Sequence, residues 1–367
     1  MKFQRIKYLE WVQENLPAIE HDLATASITP CELEDLDIDP SGIEINGPNF
    51  ADYQPLLEHL EQIYDLSREQ IVLTQGASMG IFLALNAVLE EGSEVVLEVP
   101  NYEPFYRISK AIGARVRILE RSFEDHFQLS LEQLERKISS RTDLVVMTNL
   151  HNPSGVATHP EKLQTIGQIA RENDAQLICG EAYLESVFEH SLPPICSIAE
   201  NGISIGSLSK AYGLDGLRIG WIFCNPSLKE RIKSIRNYLS PRNTYPAQQI
   251  AAATLEKRNV LLEKGKELVR RNKQILQEWV EKREDVQWVP PDGGPICFFK
   301  ITSNVDVWDL TTTLKQEYGT LVVPGDFFWA KGFIRIGFGQ ETQRLRTGIE
   351  HLGSALDELT PRRNFYS

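Results

Sequence analysis

The stretch Ser207-Leu208-Ser209-Lys210-Ala211-Tyr212-Gly213-Leu214-Asp215-Gly216-Leu217-Arg218 carries the strongest indication of fold in this sequence. It follows a short apolar run and places a lysine among hydroxyl side chains, with an arginine eight residues later. A lysine in this setting can form a Schiff base with an aldehyde, while Ser207 and Arg218 can bind a phosphate on the same molecule. A lone lysine would indicate only a solvated surface position, but the neighbouring hydroxyl side chains and Arg218 favour a binding site.

The sequence around this stretch alternates short β-branched runs with longer amphipathic segments, from about Asn46 to Asn225. This alternation predicts an α/β domain with a mainly parallel sheet. The strand-like runs are Ile71-Val72-Leu73, Val95-Val96-Leu97, Arg115-Val116-Arg117-Ile118, Leu144-Val145-Val146-Met147, Gln176-Leu177-Ile178-Cys179, Ile203-Ser204-Ile205 and Ile219-Gly220-Trp221-Ile222-Phe223.

The chain outside this domain divides into two further parts. Apolar residues at helical spacing from Leu261 to Lys282 predict a long surface helix that bridges two domains. Strand-like and helical segments after it, including Phe333-Ile334-Arg335-Ile336-Gly337, indicate a smaller α+β domain. We therefore expect an N-terminal arm that packs on the small domain, a large domain and a C-terminal small domain, over residues 1–45, 46–260 and 261–367.

Composition excludes several classes of partner and location. The 367 residues are 42% hydrophobic and 24% charged, which is typical of globular proteins, and the net charge of −13 disfavours binding to nucleic acid or anionic lipid. The start of the chain is charged and lacks the apolar segment of an export signal, and no apolar stretch is long enough to cross a membrane. We therefore expect no export and no membrane span. Scattered cysteines without metal-ligand spacing indicate reduced thiols, no metal site and a cytoplasmic location. They are Cys31, Cys179, Cys196, Cys224 and Cys297.

A second small-residue segment, Gly76-Ala77-Ser78-Met79, lies between a predicted strand and a predicted helix. Backbone N–H groups and the helix dipole at such a position can hold a phosphate. On its own the segment would indicate only a turn. Together with the lysine segment, it suggests a small molecule that carries both an aldehyde and a phosphate.

These motifs, in this order along essentially the whole chain, resemble the fold-type I pyridoxal 5′-phosphate (PLP) enzymes of the class I/II aminotransferase superfamily. The resemblance implies that Lys210 is the catalytic lysine that binds the PLP aldehyde and that the phosphate is bound by Gly76, Ala77, Ser78, Ser207 and Arg218. It further implies an amino-acid substrate, and a homodimer whose active sites lie between subunits.

The resemblance assigns four further residues. Tyr102 in Pro100-Asn101-Tyr102-Glu103-Pro104 matches the ring that stacks on the cofactor. Asn152 in His151-Asn152-Pro153-Ser154-Gly155 and Tyr183 in Gly180-Glu181-Ala182-Tyr183 match the residues bonded to the cofactor's phenolic oxygen. Arg335 matches the bidentate clamp for the substrate α-carboxylate. His21, His151 and His190 are expected to be structural.

Two positions depart from the family pattern. Gly180 stands where the family carries an aspartate that pairs with the pyridine nitrogen and keeps it protonated. Free transamination should suffer, because a less favoured pyridinium withdraws fewer electrons. Alternatively, Gly180 is a damaging change in an ordinary aminotransferase. At Asn46, many relatives carry a tyrosine that reaches the neighbouring subunit's phosphate, so that contact is not expected here.

The arm, the lysine segment and Leu321-Val322-Val323-Pro324-Gly325 look most like the capreomycidine synthase branch, whose members cyclise hydroxylated arginines. This resemblance implies a dehydrating cyclase acting on γ-hydroxy-L-arginine. A guanidinium favours a carboxylate partner, and a leaving hydroxyl needs a proton donor. The candidates for these substrate contacts are Glu10, Asp22, Thr25, Ser27 and Glu103. The alternatives are an aminotransferase that uses 2-oxoglutarate and a PLP-binding sensor protein.

Overall fold

The computed structural model describes residues 2–48, 51–189 and 191–360, so His190 lies outside the described residues. The strands are β1 (His21–Asp22), β2 (Ile71–Thr74), β3 (Glu94–Val99), β4 (Arg115–Glu120), β5 (Thr142–Thr148), β6 (Gln176–Gly180), β7 (Gly202–Ser207), β8 (Gly220–Phe223), β9 (Val286–Trp288), β10 (Ile296–Ile301), β11 (Thr320–Leu321), β12 (Val323–Pro324) and β13 (Phe333–Gly337).

The helices alternate with the strands through the first two thirds of the chain. They are α1 (Lys7–Asn15), α2 (Gln54–Tyr64), α3 (Gly76–Val88), α4 (Glu103–Ile112), α5 (Leu131–Lys137), α6 (Pro160–Glu172), α7 (Ile195–Ile198), α8 (Pro226–Arg236), α9 (Tyr245–Glu256), α10 (Arg258–Val280), α11 (Val307–Tyr318) and α12 (Thr342–Leu359).

The large domain is built on a seven-stranded sheet in the order β2-β8-β7-β6-β5-β3-β4. Strands β3 to β7 pair in parallel, and β8 runs antiparallel between β7 and β2. Apolar side chains of the central strands are buried, because helices cover both faces of the sheet. This confirms the α/β fold with a mainly parallel sheet. The paired strands β5 and β6 end together at Thr148 and Gly180, which face the site described below.

The small domain contains an antiparallel sheet in the order β12-β13-β10-β9, against which α11 and α12 pack. The long helix α10 connects this domain to the large one. Its first turns bury Leu261 and Leu262 with large-domain residues, and its later turns bury Ile275 and Leu276 in the small-domain core. The expected domain boundary at residues 260/261 therefore falls inside α10, near its start.

The N-terminal arm contacts both domains, whereas the sequence predicted packing on the small domain. Strand β1 pairs in parallel with β11 of the small domain. The aromatic ring of Trp11 in α1 packs against Phe327, with centroids 5.3 Å apart. At its very start, however, the arm lies on α4 of the large domain, where the Lys2 amide donates to the Ala111 carbonyl at 3.1 Å. Among the described residues, no helix has the length and apolarity needed to cross a membrane.

Candidate active site

A cavity of about 1090 Å³ lies between the carboxyl ends of the central strands, the arm and the small domain. Its wall includes most residues that the sequence singled out. Those residues are Asp22, Thr25, Ser27, Ala77, Ser78, Tyr102, Asn152, Tyr183, Ser207, Lys210, Arg218 and Arg335. Gly76 lies directly behind this wall.

One end of the cavity combines a helix N-terminus with an arginine. Gly76 begins α3 with a φ of +76°, and a Cβ at this position would lie 2.6 Å from Nη2 of Arg218. The bare backbone therefore lets the guanidinium approach the first N–H groups of the helix. Arg218 Nη1 also donates to Asp215 Oδ1 at 2.8 Å, which fixes its direction. Together with Ser78 and the buried Ser207, these groups could hold a phosphate.

Lys210 follows β7 and lines the cavity. Burial, together with the positive charges of Arg335 and Arg218, lowers the pKa of its amine below the ordinary value, although Asp215 acts in the opposite direction. The amine is therefore more readily neutral and nucleophilic than an exposed lysine. The arm holds the backbone of this segment, since the Ser27 hydroxyl donates to the Ser209 carbonyl at 2.8 Å and the Ile28 amide to the Lys210 carbonyl.

Two tyrosines and an asparagine line the wall on either side of Lys210. Burial raises the pKa of Tyr102 to about 12, so its hydroxyl is protonated at neutral pH. Burial also raises the pKa of Tyr183, whose hydroxyl donates to the Ala26 carbonyl at 3.3 Å. The Asn152 Oδ1 atom is buried without a hydrogen-bond partner. An acceptor left in this state is suited to a donor on a bound molecule.

Gly180, where the sequence resemblance implied that an aspartate is usual, lies on the cavity wall. A Cβ at this position would be 3.0 Å from Cζ of Phe105 and 3.1 Å from Cγ2 of Thr148. An aromatic edge and a methyl group thus line the position. The nearby acid Glu98 is buried beneath Thr148, accepting from its hydroxyl at 2.7 Å and facing Arg121 at 2.7 Å. No side chain at position 180 supplies a negative charge to the cavity.

Arg335, on β13, is almost completely buried at the other end of the cavity. Its Nη2 donates to the Tyr8 hydroxyl at 2.8 Å and to the Ala24 carbonyl at 2.9 Å. Its Nε has no hydrogen-bond partner. A buried guanidinium with free donor capacity in a cavity is suited to bind a carboxylate.

Asp22 is the strongest of the acidic candidates. It lines the cavity, and its Oδ1 accepts from the amides of Ala24 and Thr25, both at 2.8 Å. Glu10 and Glu103 do not line the cavity. Glu10 pairs with Arg5 at the surface, and Glu103 is engaged by the Tyr8 amide and Arg107. The expectation that Glu10 and Glu103 contact the substrate is therefore wrong, since neither carboxylate is available to a ligand in the cavity.

The two hydroxyl candidates differ as well. Thr25 has an exposed side chain on the cavity wall, whereas the hydroxyl proton of Ser27 is used in the bond to the Ser209 carbonyl. His151 is buried between Ser154 and the Pro100 carbonyl, and burial lowers its pKa well below the ordinary value. This arrangement agrees with the expected structural role of His151.

Several wall residues were not singled out from the sequence. They are Tyr8, Phe105, Thr148, Gln340, Glu341 and Arg344. The Gln340 Nε2 atom is buried without a partner, and Arg344 adds a cation to the wall. These residues reach the wall through tertiary packing, which no local sequence pattern indicates.

The residues present fit PLP. A buried lysine with a lowered pKa suits its aldehyde, and the N-terminus of α3 beside Arg218 suits its phosphate. The side-chain amide of Asn152, which has unused hydrogen-bonding capacity, suits its phenolic oxygen, and the free Nε of Arg335 suits the carboxylate of a bound amino acid. Fold and site thus define a PLP-dependent enzyme of the aminotransferase fold, with pyridoxal 5′-phosphate as cofactor. The chain belongs to the class I and II aminotransferase family, whose model matches residues 50–352.

Similar proteins include both cyclising and transaminating enzymes. Capreomycidine synthase of Streptomyces vinaceus is 30% identical over 315 residues, covering 85% of this chain and 80% of that protein. Aspartate aminotransferase of Sulfurisphaera tokodaii is 25% identical, covering 83% and 80%. A PLP-dependent aminotransferase from Streptococcus suis superposes with a TM-score of 0.93 at 29% identity, covering 98% and 99%. The PLP-dependent cyclase OrfR shares the fold, with a TM-score of 0.89 at 23% identity and 98% coverage of both chains.

Proposed function

We propose that this chain is a dehydrating cyclase that converts γ-hydroxy-L-arginine to L-enduracididine, a cyclic guanidine amino acid. The observation that carries this proposal is the carboxylate of Asp22, which lies on the cavity wall and has no cationic partner among the described residues. A substrate guanidinium would supply that partner. The similarity to capreomycidine synthase supports the proposal, as does the sequence resemblance to the L-enduracididine-forming cyclase of guanitoxin biosynthesis.

The proposed reaction breaks the Cγ–O bond and forms a bond from Cγ to a terminal guanidine nitrogen, with water as the other product. Atoms and electrons balance without an oxidant or an amino acceptor. When bound, PLP supplies an electron sink for negative charge that develops at the substrate Cα. The chain's own residues then hold the two ends of the substrate and move protons between them.

In this scheme Arg335 holds the α-carboxylate and Asp22 orients the guanidinium toward Cγ. Lys210 removes the Cα proton and afterwards the Cβ proton, because its lowered pKa leaves the amine able to act as a base. The hydroxyl of Thr25, on the wall beside Asp22, is the proposed proton donor to the departing oxygen, and the proton that the attacking guanidine nitrogen releases restores this hydroxyl. Returning the protons to Cβ and Cα leaves the amino group of the substrate in place.

The experiment that tests this function is incubation with arginine, its β- and γ-hydroxy derivatives and common amino acids, followed by mass spectrometry. The expected result is loss of one water from γ-hydroxy-L-arginine only. In Asp22→Asn, the amide oxygen still accepts the amides of Ala24 and Thr25, so a rise of about tenfold or more in KM would report the lost charge. Asp309→Asn, on the exposed side of α11, is the control. Turnover without dehydration would contradict the proposal.

A second candidate function is an aminotransferase that uses 2-oxoglutarate, and Arg344 favours it. This arginine lines the substrate end of the cavity and pairs with no carboxylate in the described part of the chain. It could bind the distal carboxylate of a dicarboxylic acid. Release of a keto acid from an amino acid of the panel would select this function, provided that Arg344→Gln loses the turnover that uses 2-oxoglutarate.

We also propose a homodimer. Side chains of Ile45, Tyr238 and Leu239 are more than half exposed on neighbouring loops, which Arg242 connects by donating to the Asn46 carbonyl at 3.5 Å. Exposed apolar side chains of this size are typical of a surface that another subunit covers. The exposed Asn46 lies in the same region. Light scattering at micromolar concentration should give twice the chain mass, and a fully active monomer would refute the dimer.

A further inference from the structure

Glu103 lies at the N-termini of two helices that belong to different parts of the molecule. It is the first residue of α4, and its Oε2 accepts the backbone N–H of Tyr8, in the first turn of α1, at 2.7 Å. The first N–H groups of a helix have no partner within the helix, and the N-cap of α1, Ile6, provides no side-chain cap. The large domain therefore supplies the missing cap of the arm helix.

Further contacts show that the arm follows one face of α4. Arg107 donates from Nε to Glu103 at 2.6 Å and from Nη1 to the side chain of Gln4 at 3.0 Å. One turn further along, the Ala111 carbonyl accepts from the Lys2 amide at 3.1 Å. Residues 103, 107 and 111 are spaced four apart and so share one face of the helix. The contact between Glu103 and Tyr8 is thus the last in a continuous series of contacts between the arm and α4.

The capped residue, Tyr8, connects this series of contacts to the end of the cavity at Arg335, where we place the substrate. Its hydroxyl accepts from Nη2 of Arg335 at 2.8 Å, and the guanidinium lies 5.3 Å from the centre of its ring. Its ring also meets Tyr102 edge-on, at 6.0 Å between centroids. Tyr8, Glu103 and Arg335 are all buried, so each bond replaces contacts with water that the groups have lost.

We propose that Glu103 and Tyr8 are positioning residues that hold the guanidinium of Arg335 in place for the substrate carboxylate. The inference rests on the proposed role of Arg335, which both candidate functions share. The cap orders Tyr8, and Tyr8 occupies Nη2 while leaving Nε free for the substrate. By linkage, a bound substrate also strengthens docking of the arm.

The kinetic test uses PLP-loaded enzyme and whichever amino acid of the panel is turned over. In Glu103→Ala, KM should rise about fivefold to tenfold, the size of a lost helix cap, with kcat within about twofold. Glu103→Gln should recover most of the affinity, because the amide oxygen still accepts from Tyr8. Tyr8→Phe, which keeps the cap and loses only the bond to Arg335, should also raise KM. Glu132→Ala on α5 is the control, since Glu132 forms an exposed pair with Arg136.

A second readout does not depend on turnover. Arg5 and Lys7 lie in the docked arm and are exposed trypsin sites. Cleavage there should be faster in Glu103→Ala than in the wild type, and the amino acid should protect only the wild type. Equal KM or equal cleavage in the two proteins would overturn the inference. Arg335→Lys separates the two claims: an unchanged KM would refute the role of Arg335 itself, whereas a raised KM with a normal Glu103→Ala would refute only the positioning role.

Discussion

The two ends of the cavity are constructed differently. At the phosphate end, Gly76, Ser207, Lys210 and Arg218 follow or flank strands of one continuous sheet, which fixes their mutual positions. At the substrate end, the arm, α4 and β13 are not strands of one sheet and meet through individual contacts, such as the bond from Arg335 to Tyr8 and the backbone bond from the Gly337 amide to the Leu23 carbonyl. The first end is preorganised by the fold, and the second depends on docking of a terminal segment.

This difference predicts two kinds of variant. Changes at the phosphate end should abolish the chemistry or weaken cofactor binding strongly, because no other group can replace those residues. Changes at the substrate end should each alter KM and selectivity only partly, because each contact there contributes a part of the free energy with which the arm docks.

Lys210→Ala should abolish turnover and the near-visible absorbance of the lysine-bound cofactor. No other lysine is on the cavity wall among the described residues. The measurement is an absorbance spectrum of the PLP-loaded variant together with an assay of product. A variant that turns over normally would refute the assignment of this lysine.

Gly76→Ala should weaken PLP binding by about tenfold to 100-fold, as expected when one or two charge-assisted bonds to the phosphate are lost. The added methyl group would displace the Arg218 guanidinium, from which it would lie 2.6 Å away. Gly92→Ala is a matched control, because Gly92 has a similarly positive φ of +91° but nothing within 4 Å. Equal loss of affinity in both variants would show that backbone strain, not the phosphate site, causes the effect.

Gly180→Asp should shift the balance of products from cyclisation toward transamination, since a carboxylate at this position favours a protonated pyridine nitrogen. Phe105 must move by a few tenths of an ångström to admit the new Cβ, so Gly180→Ala serves as the control for packing. Both products should be measured for all three proteins. If neither the wild type nor the variant cyclises hydroxyarginine while Gly180→Asp restores transamination, Gly180 is a damaging change in an ordinary aminotransferase.

Glu181→Gln should remove a pH dependence of stability. Burial raises the pKa of Glu181 from 4.5 to about 8, so the folded protein keeps this proton where the unfolded chain has lost it. The stabilisation is complete below pH 4.5 and is lost as the pH rises to 8, by about 1 kcal/mol per pH unit. Urea unfolding at pH 5 and pH 8 should show the variant gaining relative to the wild type at the higher pH. A constant difference would contradict the raised pKa.

The residues of the phosphate end could be proposed from the sequence because the information there is local. Each group lies within a few residues of a strand end. The strand-like runs of the sequence are strands in the structure, and for β13 the bounds agree at Phe333–Gly337. The helix predicted from Leu261 to Lys282 was observed as Arg258–Val280, because patterns fix the face of a helix better than its ends.

The substrate end could not be predicted in the same way. Tyr8 and Arg335 are 327 residues apart, and no local pattern indicates that they meet. Glu103 follows Tyr102 directly and therefore looked like a substrate contact, yet its carboxylate caps the arm helix. Asp22 was one of several equal acids in the sequence, and only the cavity wall distinguished it.

We propose above that the enzyme cyclises an amino acid and leaves its amino group in place. The most direct test uses γ-hydroxy-L-arginine labelled with ¹⁵N at the α-amino group, with unlabelled 2-oxoglutarate present. Cyclisation should give a product lighter by one water that retains the label, with no labelled glutamate. Labelled glutamate together with an unlabelled keto acid would contradict it and identify an aminotransferase.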